Sequence, residues 1–226
     1  VAECSSTIRE ELGDNTPDLI IAFVSAHHAA EYESIPKLVR EHISGGTLIG
    51  CSTGGVIGAG REVENRAGFS MTAAHLPDVN LTPFHIEDAA LPDGDAAPDA
   101  WHALFGAPAD DAPQFLLLAD PFSVRSDHLL MGLDYAYPQS VKIGGLASGG
   151  NRPGTNALYL SDDVHRSGVV GLALTGDIVV DTVVAQGCRR IGQPMHITKC
   201  NQNALLELDG HTPFEALKEI FARLSN

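Results

Sequence analysis

The feature that most constrains this chain is a repeat of its own grammar. The segment from Asp18 to Gly60 has a counterpart between Gln114 and Gly154. The first copy opens with the apolar run DLIIAFVS. It passes through EYESIPKLVREHI, where Ile35, Leu38, Val39 and Ile43 recur at helical spacing, and returns through TLIG to a glycine turn. The second opens with FLLLAD, passes through SDHLLMGLDYAYP and returns through VKIGGLASGG. Continuous apolar runs of strand length flanking a helix imply a βαβ unit with fully buried, parallel strands and a right-handed crossover in each copy.

The likeness continues past the glycine turns. Arg66, Gly68, Ala73, Val79 and Thr82 match Arg166, Gly168, Ala173, Val179 and Thr182, each 100 positions later. Alternating polarity and turn residues at 75 to 78 and 175 to 177 predict an antiparallel strand pair attached to each unit. The expected fold is therefore mixed α/β: two duplicated βαβ-plus-hairpin lobes in a mixed-sheet layered domain. Lobe one covers about 16–87 and lobe two about 114–199, followed by a connecting segment at 200–212. Residues 88–113, rich in Ala, Asp and Pro, read as a surface connector carrying a short helix from Asp99 to Phe105. Thr212-Pro213-Phe214-Glu215 is a capping box, and Phe214, Leu217, Ile220, Phe221 and Leu224 then form an apolar helical stripe over 213–226.

Charge narrows the partners. Fourteen Lys and Arg against 29 Asp and Glu leave a formal charge of -15, so nucleic acid and anionic membranes meet net repulsion. No apolar run approaches the roughly 18 residues that span a bilayer, and the start lacks a basic region followed by an apolar one, so a soluble cytoplasmic protein is expected. Four cysteines without paired short spacing read as free thiols. Cys188, His196 and Cys200 lack the C-x-x-C knuckle, and His27 and His28 lack a third ligand at suitable spacing. No metal is expected, and no cofactor is specified.

Gly50-Cys51-Ser52-Thr53-Gly54 spells G-x-S-x-G, the nucleophile elbow of many hydrolases. An elbow needs a helix after the serine, whereas the chain continues with Gly54, Gly55, Gly58 and Gly60, each an interior helix cost of about 1 kcal/mol relative to Ala. The second repeat has no serine at the position matching Ser52 in an ungapped alignment. The shared element is a small-residue loop leaving a buried strand, which argues against catalysis by Ser52. Neither glycine loop carries the Lys of a P-loop or the G-x-G-x-x-G spacing of a dinucleotide site.

The set IGCSTGG, LADP at 118–121, IGGLASGG, GVVGLAL from Gly168, QGCRRIGQP from Gln186, Thr198 and ELDG from Glu207 resembles the FIST family, F-box and intracellular signal transduction proteins. It covers nearly the whole chain in order; Arg190 stands where the family pattern has proline. The resemblance implies a sensory domain that binds small ligands such as amino acids. It also implies an amino-terminal FIST domain over 1–212, with 213–226 as the first helix of a carboxyl-terminal one.

Ligands of open parallel sheets sit beyond the carboxyl ends of the strands. That places Cys51, Ser52 and Thr53 from one turn with Ser148, Gly149 and Asn151 from the other. Asp120 enters from the second lobe's first strand, and Gln186, Cys188 and Arg189 from the QGCRR segment. Hydroxyl donors, an acid for an amine and an arginine for a carboxylate suit an amino acid. The same residues also have plainer roles: Ser52 and Thr53 satisfying a turn, Asp120 capping a loop, Arg189 pairing with a carboxylate, Cys51 filling space. The reading is a non-catalytic module for a small polar ligand, with a signalling protein as a further partner. The alternatives are a protein-interaction domain and a serine hydrolase.

Overall fold

A computed structural model describes residues 1–184, 187, 191–201 and 204–224. The chain divides into two compact units, Val1–Thr182 and Val183–Asn226. In the first, α1 (Ala2–Leu12) precedes β1 (Leu19–Ser25), a 3₁₀ segment (Ala26–Ser34), α2 (Ile35–His42) and β2 (Thr47–Thr53). The chain continues through β3 (Gly55–Gly58), β4 (Arg61–Glu64), β5 (Phe69–Ala74), β6 (Val79–Ile86) and α3 (Pro98–Phe105). Then come β7 (Gln114–Ala119), α4 (Ser126–Ala136), β8 (Lys142–Leu146), β9 (Leu158–Leu160), β10 (Asp163–His165) and β11 (Val169–Gly176).

Both expected βαβ units form: β1 pairs parallel with β2, and β7 parallel with β8. They belong to different sheets. One has the order β10-β9-β2-β1-β5, the other β6-β11-β7-β8. Strand periodicity explains how the sheets stack, because successive side chains leave opposite faces. Ile20, Ala22 and Val24 of β1 pack with Ile8, Tyr32, Ile35 and Val39 from the helical side, while Leu19, Ile21 and Phe23 face the other way. In β7, Phe115, Leu117 and Ala119 pack with Trp101, Phe105, Leu129 and Leu133. Leu118, with Val170 and Leu172 of β11, meets Ile49, Cys51 and Leu158 of the first sheet. The unit is thus four layers, helix-sheet-sheet-helix, with one apolar cluster between the sheets and one under each helical layer.

Three expectations are corrected. The expected strand pairs are not hairpins: β5 runs antiparallel to β1 in one sheet, and β6 antiparallel to β11 in the other. The turn between them is pinned where Asp18 Oδ2 accepts Leu76 N–H at 2.7 Å and contacts His75 Nδ1 at 2.9 Å, so the chain leaves one sheet for its neighbour. After β11, residues 177–184 form no strand. The returning strand β8 is not buried: it is the sheet edge, and Ile143 and Leu146 are exposed because β7 covers one side of its ladder only. Finally, the connector, largely exposed, sends part of its short helix into the core. Trp101 and Phe105 are each 1% exposed, and an ideal Cβ on Gly132 of α4 would lie 1.9 Å from the Trp101 ring, so α3 and α4 approach at a position only glycine allows.

The second unit contains β12 (Ile197–Asn201), paired antiparallel with β13 (Ala204–Leu208), and α5 (Pro213–Leu224). The capping box forms as spelled: Glu215 N–H donates to Thr212 Oγ1 at 3.3 Å, and Glu215 Oε2 accepts Thr212 N–H at 2.9 Å. Phe214 and Leu217 are exposed on the helix.

Candidate functional site

The two glycine turns meet where β2 and β8 end. Ser148 N–H and Gly149 N–H both donate to the Ser52 carbonyl, at 3.1 and 3.2 Å, and Ser148 Oγ accepts Gly54 N–H at 3.1 Å. An ideal Cβ on Gly149 would come within 2.7 Å of Ser52 Cβ and 2.9 Å of both Ser52 Oγ and Tyr32 Oη. Glycine is therefore required by the closeness of the two turns.

Beneath them runs a buried polar chain. Ser52 Oγ accepts Ala157 N–H and donates to Asn156 Oδ1, both at 3.0 Å. Asn156 Oδ1 also accepts Gly150 N–H at 2.6 Å, and its Nδ2 donates to Asp120 Oδ1 at 2.9 Å. The other Asp120 oxygen accepts Ser123 Oγ–H at 2.6 Å, and Ser123 Oγ accepts Gly168 N–H at 2.9 Å. Ser52, Asp120 and Asn156 have no solvent exposure. The chain joins the ends of β2 and β7, one from each sheet, and satisfies groups that would otherwise be buried without partners.

Above this floor opens a concavity of about 500 Å³ lined by Ala29 and by Ser148, Gly149, Gly150, Asn151, Arg152 and Thr155. Of the expected site residues, Ser148, Gly149 and Asn151 line it. Ser52 and Asp120 lie in the floor network. The Thr53 hydroxyl is buried and has no hydrogen-bond partner among the described residues. Cys51 faces the apolar layer between the sheets, where burial pushes its thiol up to about 12. Gln186, Cys188 and Arg189 lie outside the described residues.

Sequence reasoning missed Asn156, the hub of the network. Its one signal is a polar residue directly before the buried run ALYL. It also missed Tyr32, whose hydroxyl faces Ser52 without hydrogen-bonding alignment and whose ionisation is pushed up by burial. Arg166 lies over the Tyr32 ring, 5.5 Å from its centroid, pairs with Glu33 and donates to the Asn156 carbonyl at 3.1 Å. The Arg152 guanidinium makes no ion pair among the described residues.

A two-sheet, four-layer α/β domain with a surface concavity over a buried hydrogen-bonded network is the class these features define. The FIST N domain profile matches residues 18–211, and the chain belongs to that family. It is 33% identical over 219 residues to the uncharacterized protein Rv0628c of Mycobacterium tuberculosis (strain ATCC 25618 / H37Rv), covering 97% of this chain and 55% of the relative. It is 30% identical over 223 residues to the uncharacterized protein Mb0898c of Mycobacterium bovis (strain ATCC BAA-935 / AF2122/97), covering 99% of this chain and 56% of the relative. The chain thus spans about half the length of the curated relatives it matches. Among the described residues no helix is long and apolar enough to cross a membrane.

Proposed function

We propose that this FIST N domain is a non-catalytic sensory module of intracellular signal transduction that holds a small polar ligand, such as an amino acid, above the paired glycine turns. The observation that carries the reading is the concavity: an open bowl beyond the carboxyl end of β8 that offers Ser148, Asn151, Arg152 and Thr155, where parallel sheets take ligands. Arg152 offers a guanidinium for a carboxylate, and Asn151 and Ser148 offer adaptable donors and acceptors. The occupied Ser52 hydroxyl supports the non-catalytic part. It is buried, its partners are Asn156 and Ala157 N–H, and no imidazole among the described residues hydrogen-bonds to it. The common order β2-β1-β5 and β8-β7-β11 supports an origin by internal duplication, each sheet keeping one repeat's parallel pair and its antiparallel neighbour.

A thermal-shift panel of amino acids and small carboxylic acids tests the reading. A ligand at about 100 times its dissociation constant stabilises by about 2.7 kcal/mol, which raises the melting temperature by roughly 5 to 10 °C. Asn151→Trp, which fills the bowl from an exposed position, is expected to remove that shift and leave the ligand-free melting temperature unchanged. Equal shifts in both proteins would move the site elsewhere, and a panel without any shift would refute the reading. One observation favours a protein-interaction surface as a second reading. Among the described residues β8 is a sheet edge, and with α4 it lines an apolar groove of about 380 Å³ where Leu130, Ile143 and Leu146 are exposed.

A further inference from the structure

The two sheets are also joined away from the glycine turns. His85, on β6 of one sheet, stacks on His165, on β10 of the other, with ring centroids 3.7 Å apart and planes 20° from parallel. His85 Nε2 lies 3.0 Å from the Ser167 carbonyl, so the neutral ring carries its proton there. Gly168 fits tightly beside the ring: an ideal Cβ on it would lie 2.7 Å from His85 Nε2. The same Gly168 donates its N–H to Ser123 Oγ and accepts Asp120 N–H, so it is the last link of the buried chain that ends at Ser52 and Gly150.

We propose that the stacked His85 and His165 form an acid-sensitive joint between the two sheets, which loosens when both rings are protonated and passes that change through Ser167 and Gly168 to the network beneath the concavity. Neutral imidazoles stack without penalty, whereas two imidazolium rings at this separation repel across a half-buried contact. Among the described residues the acidic groups beside the pair are Glu87 and Asp163. Glu87, just after β6, lies 3.5 Å from His85 Nε2, and the same oxygen accepts Ser167 Oγ–H at 2.7 Å. Asp163 stands two residues before His165 on β10 and attracts its proton less than burial and His85 oppose it. Burial, then His85, hold His165 below its ordinary value. A group held low in this way gives up stability as pH falls below the unfolded value of about 6.5, and the joint is intact above it.

Amide hydrogen exchange, corrected for intrinsic rates and followed at about pH 7.5 and about pH 5.5 on either side of the ordinary histidine value, reads this joint locally. In the wild type, protection across residues 79–86 and 163–170 is expected to be lost on acidification, with a parallel loss at 148–157. His165→Phe keeps a stacked ring without the charge and is expected to abolish the change; His165→Gln serves the same purpose if the phenylalanine does not fold. A wild type without the acid loss, or a variant that retains it, overturns the joint. A loss confined to β6 and β10 overturns its transmission to the site.

Discussion

Removing the Asn156 side chain is expected to be the most damaging single truncation at the glycine turns. Asn156→Ala deletes two neutral hydrogen bonds, from Ser52 Oγ–H and Gly150 N–H, and one to the Asp120 carboxylate, all inside a fully buried residue. At about 1 kcal/mol for each neutral bond and about 1.5 to 3 kcal/mol for the charged one, the loss comes to roughly 3 to 5 kcal/mol. Ser52→Ala removes one donated and one accepted neutral bond, for about 2 kcal/mol. Urea unfolding followed by tryptophan fluorescence reports the first unit alone, since the chain's single tryptophan is the buried Trp101. With an urea slope of about 1 to 3 kcal/mol per molar, Asn156→Ala should lower the midpoint by about 1 M or more, clearly beyond Ser52→Ala. A cost below about 1 kcal/mol, or the reverse order of the two variants, would show that water or rearrangement replaces Asn156 and that the network is not what joins the turns.

Two further outcomes follow from local environment. Iodoacetamide at neutral pH should modify the exposed Cys200 and leave Cys51 untouched until unfolding, because Cys51 is 2% exposed and its thiol is held at about 12; mass spectrometry of the alkylated peptides decides it, and early Cys51 labelling would mean the sheets part readily. Asp88 is held below its ordinary value by the Arg125 backbone N–H and guanidinium, so its contribution is present above about pH 4 and is lost as pH falls through the depressed value. Asp88→Asn should therefore lower the urea midpoint at neutral pH, and the gap from wild type should close on acidification; a gap that is constant with pH would assign the effect to packing.

The sequence by itself determined the local pieces. The apolar runs at 19–25 and 114–119 became buried parallel strands, and the 35–43 periodicity became α2. The glycines after Ser52 made β3 instead of an elbow helix, and Thr212 with Glu215 capped α5. Each follows from interactions within a few residues: alternation, helical spacing, turn propensity, a reciprocal cap. What only the tertiary structure decided is which surfaces those pieces bury. Similar strand pairs spell similar sequences, yet β6 pairs with β11 across the chain, because pairing depends on which edge is free in space. The connector's Trp101 looks like one aromatic in a polar stretch until α4 offers Gly132 beneath it. The candidate site divides the same way. The glycine turns were legible because small residues at strand ends have a local cause. Asn156, 104 positions from Ser52, acquires its role only when the fold brings a buried hydroxyl, a backbone amide and a carboxylate around one amide group. Residue type alone carries no signal for partners so distant in sequence, and the desolvation that makes them indispensable exists only once both sheets have closed over them.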